Sequence, residues 1–227
     1  MIENYVLRQK ARKQLGDGIF KTPWLLMLVV CLIYSAITSV GGAIPTVGSI
    51  AVLILTGPLN WGLAYTTLAC ARGEKWGVES LFEKFGDNFG NKIALGIVQA
   101  IFIILWTLLF IIPGFVKMYA YSMSWYIYKD HPELGATECI TASRQMMDGY
   151  KMQLFLLDLS FIGWYLLGAL CFGVGVLFVV PYHEVARANF YQELCAQQNW
   201  TPAPAPAAIA PAEEVAETPV EENDENA

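Results

Sequence analysis

The stretch RQMMDGYKMQLFLLDLS, residues 144–160, changes character in its middle. Its first half is polar and charged. From Lys151 it runs apolar, until Asp158 interrupts it. The switch falls on Asp148, Gly149, Tyr150 and Lys151. Asp followed by Gly is turn chemistry, because both tolerate backbone conformations that bulkier residues avoid. A Lys at the head of an apolar run can lay its stem along hydrocarbon and keep its ammonium among headgroups. The segment reads as a helix end, a turn, and the start of a helix that enters a bilayer.

The same arrangement occurs twice more, in LGDGIFKTPW (15–24) and FGDNFGNKIA (85–94). Each has an Asp, then Gly or Asn, an aromatic, a Lys and an apolar run, with Asp17, Asp87 and Asp148 as anchors. Each apolar run is followed by a second one containing a proline: Pro58, Pro113 or Pro181. The pattern is a threefold pseudo-repeat of a helical hairpin.

A bilayer-spanning helix needs roughly 20 mostly apolar residues. Stretches near 24–40, 49–71, 93–112, 115–128, 152–170 and 174–190 meet or approach that length. The chain is 56% hydrophobic and 15% charged, where a soluble domain carries about 25% charged residues. The expected fold class is an all-α integral membrane protein, with six transmembrane helices as three hairpins. The basic stretch before 24–40 resembles the flank of a secretory signal. It is long, and further spans follow it, so 24–40 is expected to be the first membrane helix.

Each hairpin is expected to be preceded by an amphipathic helix in the membrane interface. In 79–90, Leu81, Phe82, Phe85 and Phe89 share a helical face opposite Glu79, Glu83 and Asp87. In 136–150, Cys139, Ser143, Met146, Met147 and Tyr150 recur at helical spacing. Residues 2–15 are less regular and strongly basic. The alternative is that these helices pack on one another outside the bilayer.

The net charge of −6 misleads. The seven acids in residues 201–227 account for it, and without them the formal charge is +1. That Pro-, Ala- and Glu-rich tail has little to bury and is expected to be disordered. Two domains follow: a six-helix membrane domain, 1–200, and the tail, 201–227. Elsewhere Lys and Arg gather in 1–23, 72–92 and 129–151, while the intervening turns are bare. Positive loops favour the cytoplasmic face. Both termini are therefore expected in the cytoplasm, with the protein in the plasma membrane.

Ionisable groups inside a bilayer are functional candidates by default. Asp158 lies seven residues beyond Lys151, about 10 Å along a helix. Glu184 and Arg187 lie at similar depth in the last span, three residues apart on one face. Asp158, Glu184 and Arg187 form a candidate intramembrane polar cluster, with Arg187 the preferred partner of Asp158. The cluster reads as a packing clamp between the fifth and sixth helices, a proton or ion relay, or a lipid-headgroup contact. Lys117 is expected near the extracytoplasmic end of the fourth helix, snorkelling to the surface or touching an anionic lipid. GALCFGVG, Gly168 to Gly175, has small-residue spacing that favours close helix approach.

The sequence holds no HExxH, GxSxG or phosphate-binding loop. Its five cysteines are widely spaced with no CxxC. No catalytic residue, metal or cofactor is expected. No clustered basic face suggests nucleic acid. The expected partners are membrane lipids and a membrane-protein partner or a second copy.

Four stretches carry a family resemblance: GPLNWGLAYTTLACARGE (57–74), LWTLLFIIPGFVKMYAYSM (105–123), ITASRQMMDGYKMQLFLLDLSFIGWYLLG (140–168) and VPYHEVARANFYQEL (180–194). The chain resembles the bacterial domain of unknown function 975 family over about residues 5–195. The resemblance implies a multi-helix membrane protein and no established activity or substrate. The expected function is non-enzymatic: an interaction, scaffold or membrane-organising role. The alternative is a small transporter or lipid-handling protein.

Overall fold

A computed structural model describes residues 4–16, 22–43, 47–82, 86, 88–170 and 173–198, with backbone alone at 40–43, 47–53 and 174. The anchors Asp17 and Asp87 and the tail 201–227 lie outside the described residues. The elements are α1 (Asn4–Gln14), α2 (Thr22–Ala43), α3 (Val47–Arg72), a 3₁₀ turn (Val78–Leu81), α4 (Phe89–Leu109), α5 (Ile111–Ala120), α6 (Ser124–Asp130), α7 (Ala136–Met146), α8 (Lys151–Leu170) and α9 (Val174–Gln198). Among the described residues the fold is all-helical.

Among the described residues, three helices are long and apolar enough to cross a membrane: Thr22–Ser39 in α2, Phe89–Leu109 in α4 and Lys151–Leu170 in α8. At 1.5 Å per residue, about 20 residues cover the 30 Å hydrocarbon core. Only 17–22% of each span is buried in the protein. Ile104, Leu108 and Leu109 of α4 and Leu166, Leu167 and Leu170 of α8 are exposed. Contiguous apolar surface of this extent marks a membrane contact.

The hairpins α2–α3, α4–α5 and α8–α9 pack internally, and α3 is the hub, touching α1, α2, α4, α6 and α9. In the α8–α9 hairpin, a Cβ on Gly168 would lie 2.7 Å from the Gly175 carbonyl carbon, and one on Gly175 would lie 2.6 Å from the Gly168 Cα. The two backbones touch there, and that contact sets the register of the hairpin.

The charged segments meet at the opposite end from that crossing. Arg72 at the end of α3 makes a two-pronged pair with Asp130 of α6, both contacts 2.7 Å. The Tyr191 hydroxyl donates to the same carboxylate. Glu74 reaches Lys129 at 3.4 Å, and Lys10 pairs with Glu193. The Gln14 and Asn189 amides bond reciprocally, and Gln14 also donates to the Ala71 carbonyl at 2.6 Å.

The structure departs from the sequence expectation at two elements. A single fourth helix over 115–128 does not form. Pro113 falls in the first turn of α5, where its missing N–H costs nothing, so α4 ends four residues before it and α5 folds back. The chain then breaks at 121–123 before α6. Side chains take up the backbone groups freed by the break. The buried Ser143 hydroxyl of α7 donates to the Ala120 carbonyl at 2.8 Å and accepts from the Met123 N–H at 3.2 Å. Ser122 and Ser124 donate to the carbonyls of Tyr119 and Tyr121. Irregular backbone at membrane depth persists only where protein satisfies it. Ser143→Ala is therefore expected to cost about 1–2 kcal/mol in detergent unfolding, because it strands one donor and one acceptor.

The second departure is 79–90. Glu83, Phe85 and Asp87 lie outside the described residues; of the rest, 79–81 belong to the 3₁₀ turn and 89–90 to α4, with Leu81 packed against Gly62 and Phe82 and Phe89 exposed. The other two amphipathic segments are helices that dock on the bundle. Leu7, Ala11 and Leu15 are fully buried, and α1 lies against α9. Cys139, Ser143, Met146 and Met147 are buried, and α7 lies against α4 and α6.

Candidate functional site: a polar network between α8 and α9

Asp158 stands on the second turn of α8, and the apolar run around it leaves its carboxylate nothing to bond on its own helix. Its partners come from α5 and α9. The His183 Nε2 donates to Oδ1 at 2.8 Å. The Tyr119 hydroxyl donates to Oδ2 at 3.1 Å. The Arg187 Nε lies 3.7 Å from Oδ1, an ion pair beyond hydrogen-bond length. With the imidazole neutral, the carboxylate fixes its proton on Nε2. The Nδ1 then accepts from the Tyr165 hydroxyl at 3.0 Å. The chain of contacts thus runs Tyr119–Asp158–His183–Tyr165, with the Arg187 cation beside the carboxylate.

The network is enclosed by packing. The Asp158 side chain is 19% exposed and that of His183 is 13% exposed. The Phe161 ring lies 4.6 Å from the imidazole, and Val185 and Ala186 are fully buried. Low local polarity strengthens each hydrogen bond and raises the cost of leaving any group unpaired.

The predicted residues fall in different places. Asp158 and Arg187 come together. Glu184 is half-buried and is not among the partners of Asp158. Lys117 lies on α5 with its ammonium 4.5 Å from the Trp106 ring centroid, turned onto α4. That stacking is a cation–π contact. Sequence reasoning missed His183, Tyr119 and Tyr165. It also missed Lys92, a buried lysine whose ammonium lies 3.7 Å from the Trp61 ring centroid.

The arrangement can hold charge inside the bundle and join α5, α8 and α9. Among the described residues no group of three or more His, Cys, Asp or Glu is placed to hold a metal.

No curated protein and no solved structure matches the chain. Residues 108–198, from the end of α4 to the end of α9, contain every member of the network, and they match the family described as Protein of unknown function (DUF975).

Proposed function

We propose that this chain is a non-enzymatic multi-pass protein of the plasma membrane that works by interaction and membrane organisation. In this reading six helices cross the bilayer, α5 and α6 together serving as the fourth, with both termini cytoplasmic. Its partners are membrane lipids and a membrane-protein partner or a second copy. The observation that carries the reading is the closure of the Asp158 network. Both carboxylate oxygens and both imidazole nitrogens bond to side chains of other helices. Groups committed to joining helices act as a clamp, and the apolar perimeter is left as the working surface.

One observation favours a second reading, a small transporter. The α5–α6 break lies beside the network, and Gln99 Nε2 reaches the Tyr121 carbonyl there at 3.4 Å. The Gln99 Oε1 is buried with no partner. Broken helices with polar linings serve as solute sites in transporters.

Two measurements test the proposal. Reporter fusions in 41–48 and after Gln198 are expected to report opposite sides, the second cytoplasmic; a tail reporter active only outside overturns the topology. Proteoliposomes carrying an internal pH dye are expected to show no protein-dependent proton flux under an imposed gradient. Flux abolished by Asp158→Asn would replace the clamp reading with the transport reading.

A further inference from the structure

The basic helix α1 does not rest on the bundle without leaving a gap. Its apolar edge docks on α9, and beside that edge opens a groove of about 500 Å³. Arg8, Arg12, Lys13 and Tyr5 line one wall, and Trp164 of α8 and Tyr182 of α9 line the other. The Tyr182 ring is held from behind, 5.9 Å from Trp24 and 5.0 Å from Phe161. Trp164 belongs to a candidate membrane span and is 50% exposed. It lies thirteen residues beyond Lys151, about 20 Å along the helix. Three cationic side chains thus share a groove with the lipid-facing side of a span.

An anion in the groove would stabilise that placement. Cations near hydrocarbon are tolerated when they are paired or can reach the headgroup region. The Arg8 Nε is buried and has no hydrogen-bond partner, and an orphaned charged donor carries a larger penalty than a neutral one. A planar guanidinium suits an oxyanion with several acceptor oxygens. The aromatic wall and the exposed apolar flank of α8 suit a molecule that also carries acyl chains. A phosphate ester attached to two such chains meets both demands, whereas a soluble anion meets only the first.

We propose that the groove between α1, α8 and α9 binds the phosphate headgroup of an anionic phospholipid, with its chains lying along α8 beside Trp164. The site requires α8 to face lipid. It does not require the interaction role proposed above, because a transporter could keep it unchanged.

Native mass spectrometry of the full chain in detergent tests this directly, with phosphatidylglycerol and phosphatidylcholine as probes. Phosphatidylglycerol is expected to remain bound and phosphatidylcholine to be lost. Each cation removed should weaken phosphatidylglycerol binding about fivefold, the worth of one Lys or Arg near an anionic surface. Arg8→Gln and Lys13→Gln are the test variants. Lys13 is exposed, so its change leaves folding intact if Arg8→Gln does not. Arg144→Gln, an exposed cation elsewhere, is expected to change nothing. Equal weakening by Arg144→Gln would show unspecific charge attraction and overturn the site. Displacement of the lipid by millimolar inorganic phosphate would make it a free-phosphate site and overturn the lipid assignment. Binding that appears only after truncation beyond Trp200 would mean that the acidic tail occupies the groove, which also overturns it.

Discussion

Asp158→Ala is expected to lower the unfolding free energy in detergent by about 2–4 kcal/mol. The change strands three donors together: His183 Nε2, the Tyr119 hydroxyl and the Arg187 cation. Asp158→Asn should cost less, about 1–2 kcal/mol. An amide can still accept from Tyr119, and the imidazole can move its proton to Nδ1 and accept from the new NH₂ group. What Asn cannot replace is the charge facing Arg187. The difference between the two variants therefore separates hydrogen bonding from charge. Double-mutant cycles with alanine at His183 and at Arg187 locate the coupling. The Asp158–His183 coupling should be the larger, about 1 kcal/mol or more, because that contact is 2.8 Å and the Arg187 contact is 3.7 Å. The double variants should recover part of the summed losses. Strictly additive losses would reject the network as a clamp, and a larger coupling to Arg187 would reject its geometry.

The sequence placed Asp158 at its depth because one carboxylate in an apolar run can be counted from Lys151. It named Arg187 because a cation on the next helix is the natural partner for that charge. His183 was harder to see, since a lone histidine on a helix has no spacing signal of its own. It becomes legible once the hairpin register is known. Gly168 and Gly175 touch, so residues at similar distances on either side of that crossing face each other. Asp158 stands ten residues before it and His183 eight after it. Tyr119 and Tyr165 reach the network through packing of α5 on α8 and through the face of α8, and neither is written in local pattern.

Hydropathy marks where apolar surface is, and so it found α2, α4 and α8. It cannot mark a break that tertiary contacts support. Residues 121–123 are Tyr-Ser-Met, with no Gly or Pro to announce a turn. The break persists because Ser143, twenty residues away on α7, bonds both of its sides. The described part of 79–90 departs from a single helix for a related reason. Helical spacing of Leu81, Phe82 and Phe89 is compatible with a helix, but the Leu81 carbonyl packs against Gly62 of α3 in a 3₁₀ turn instead. Periodicity proposes an element, and the partner surface decides whether it forms.

The other large effect is expected at the crossing of α3 and α4. A Cβ on Gly57 would lie 2.3 Å from the Lys92 carbonyl oxygen, and one on Gly96 would lie 2.9 Å from the Gly57 Cα. Both obstacles are backbone, which cannot swing aside as a side chain can. Gly57→Ala must therefore push the helices apart, at an expected cost of about 2–3 kcal/mol. Gly57→Leu should prevent the close approach altogether. The consequences spread, because α3 is the hub of the bundle and the Lys92 ammonium rests on the Trp61 ring across the same interface. Separating the helices exposes that buried cation to hydrocarbon without its ring partner. Gly163 of α8 is the control, since a Cβ there meets nothing within 4 Å. Gly163→Ala is expected to be neutral or to stabilise by up to about 1 kcal/mol, from the lower helix propensity of Gly. Thermal unfolding in detergent of the three variants checks the contrast. If Gly57→Leu unfolded like the native chain, α3 and α4 could not touch backbone to backbone, and the hub of the fold would have to be redrawn around some other pair of helices.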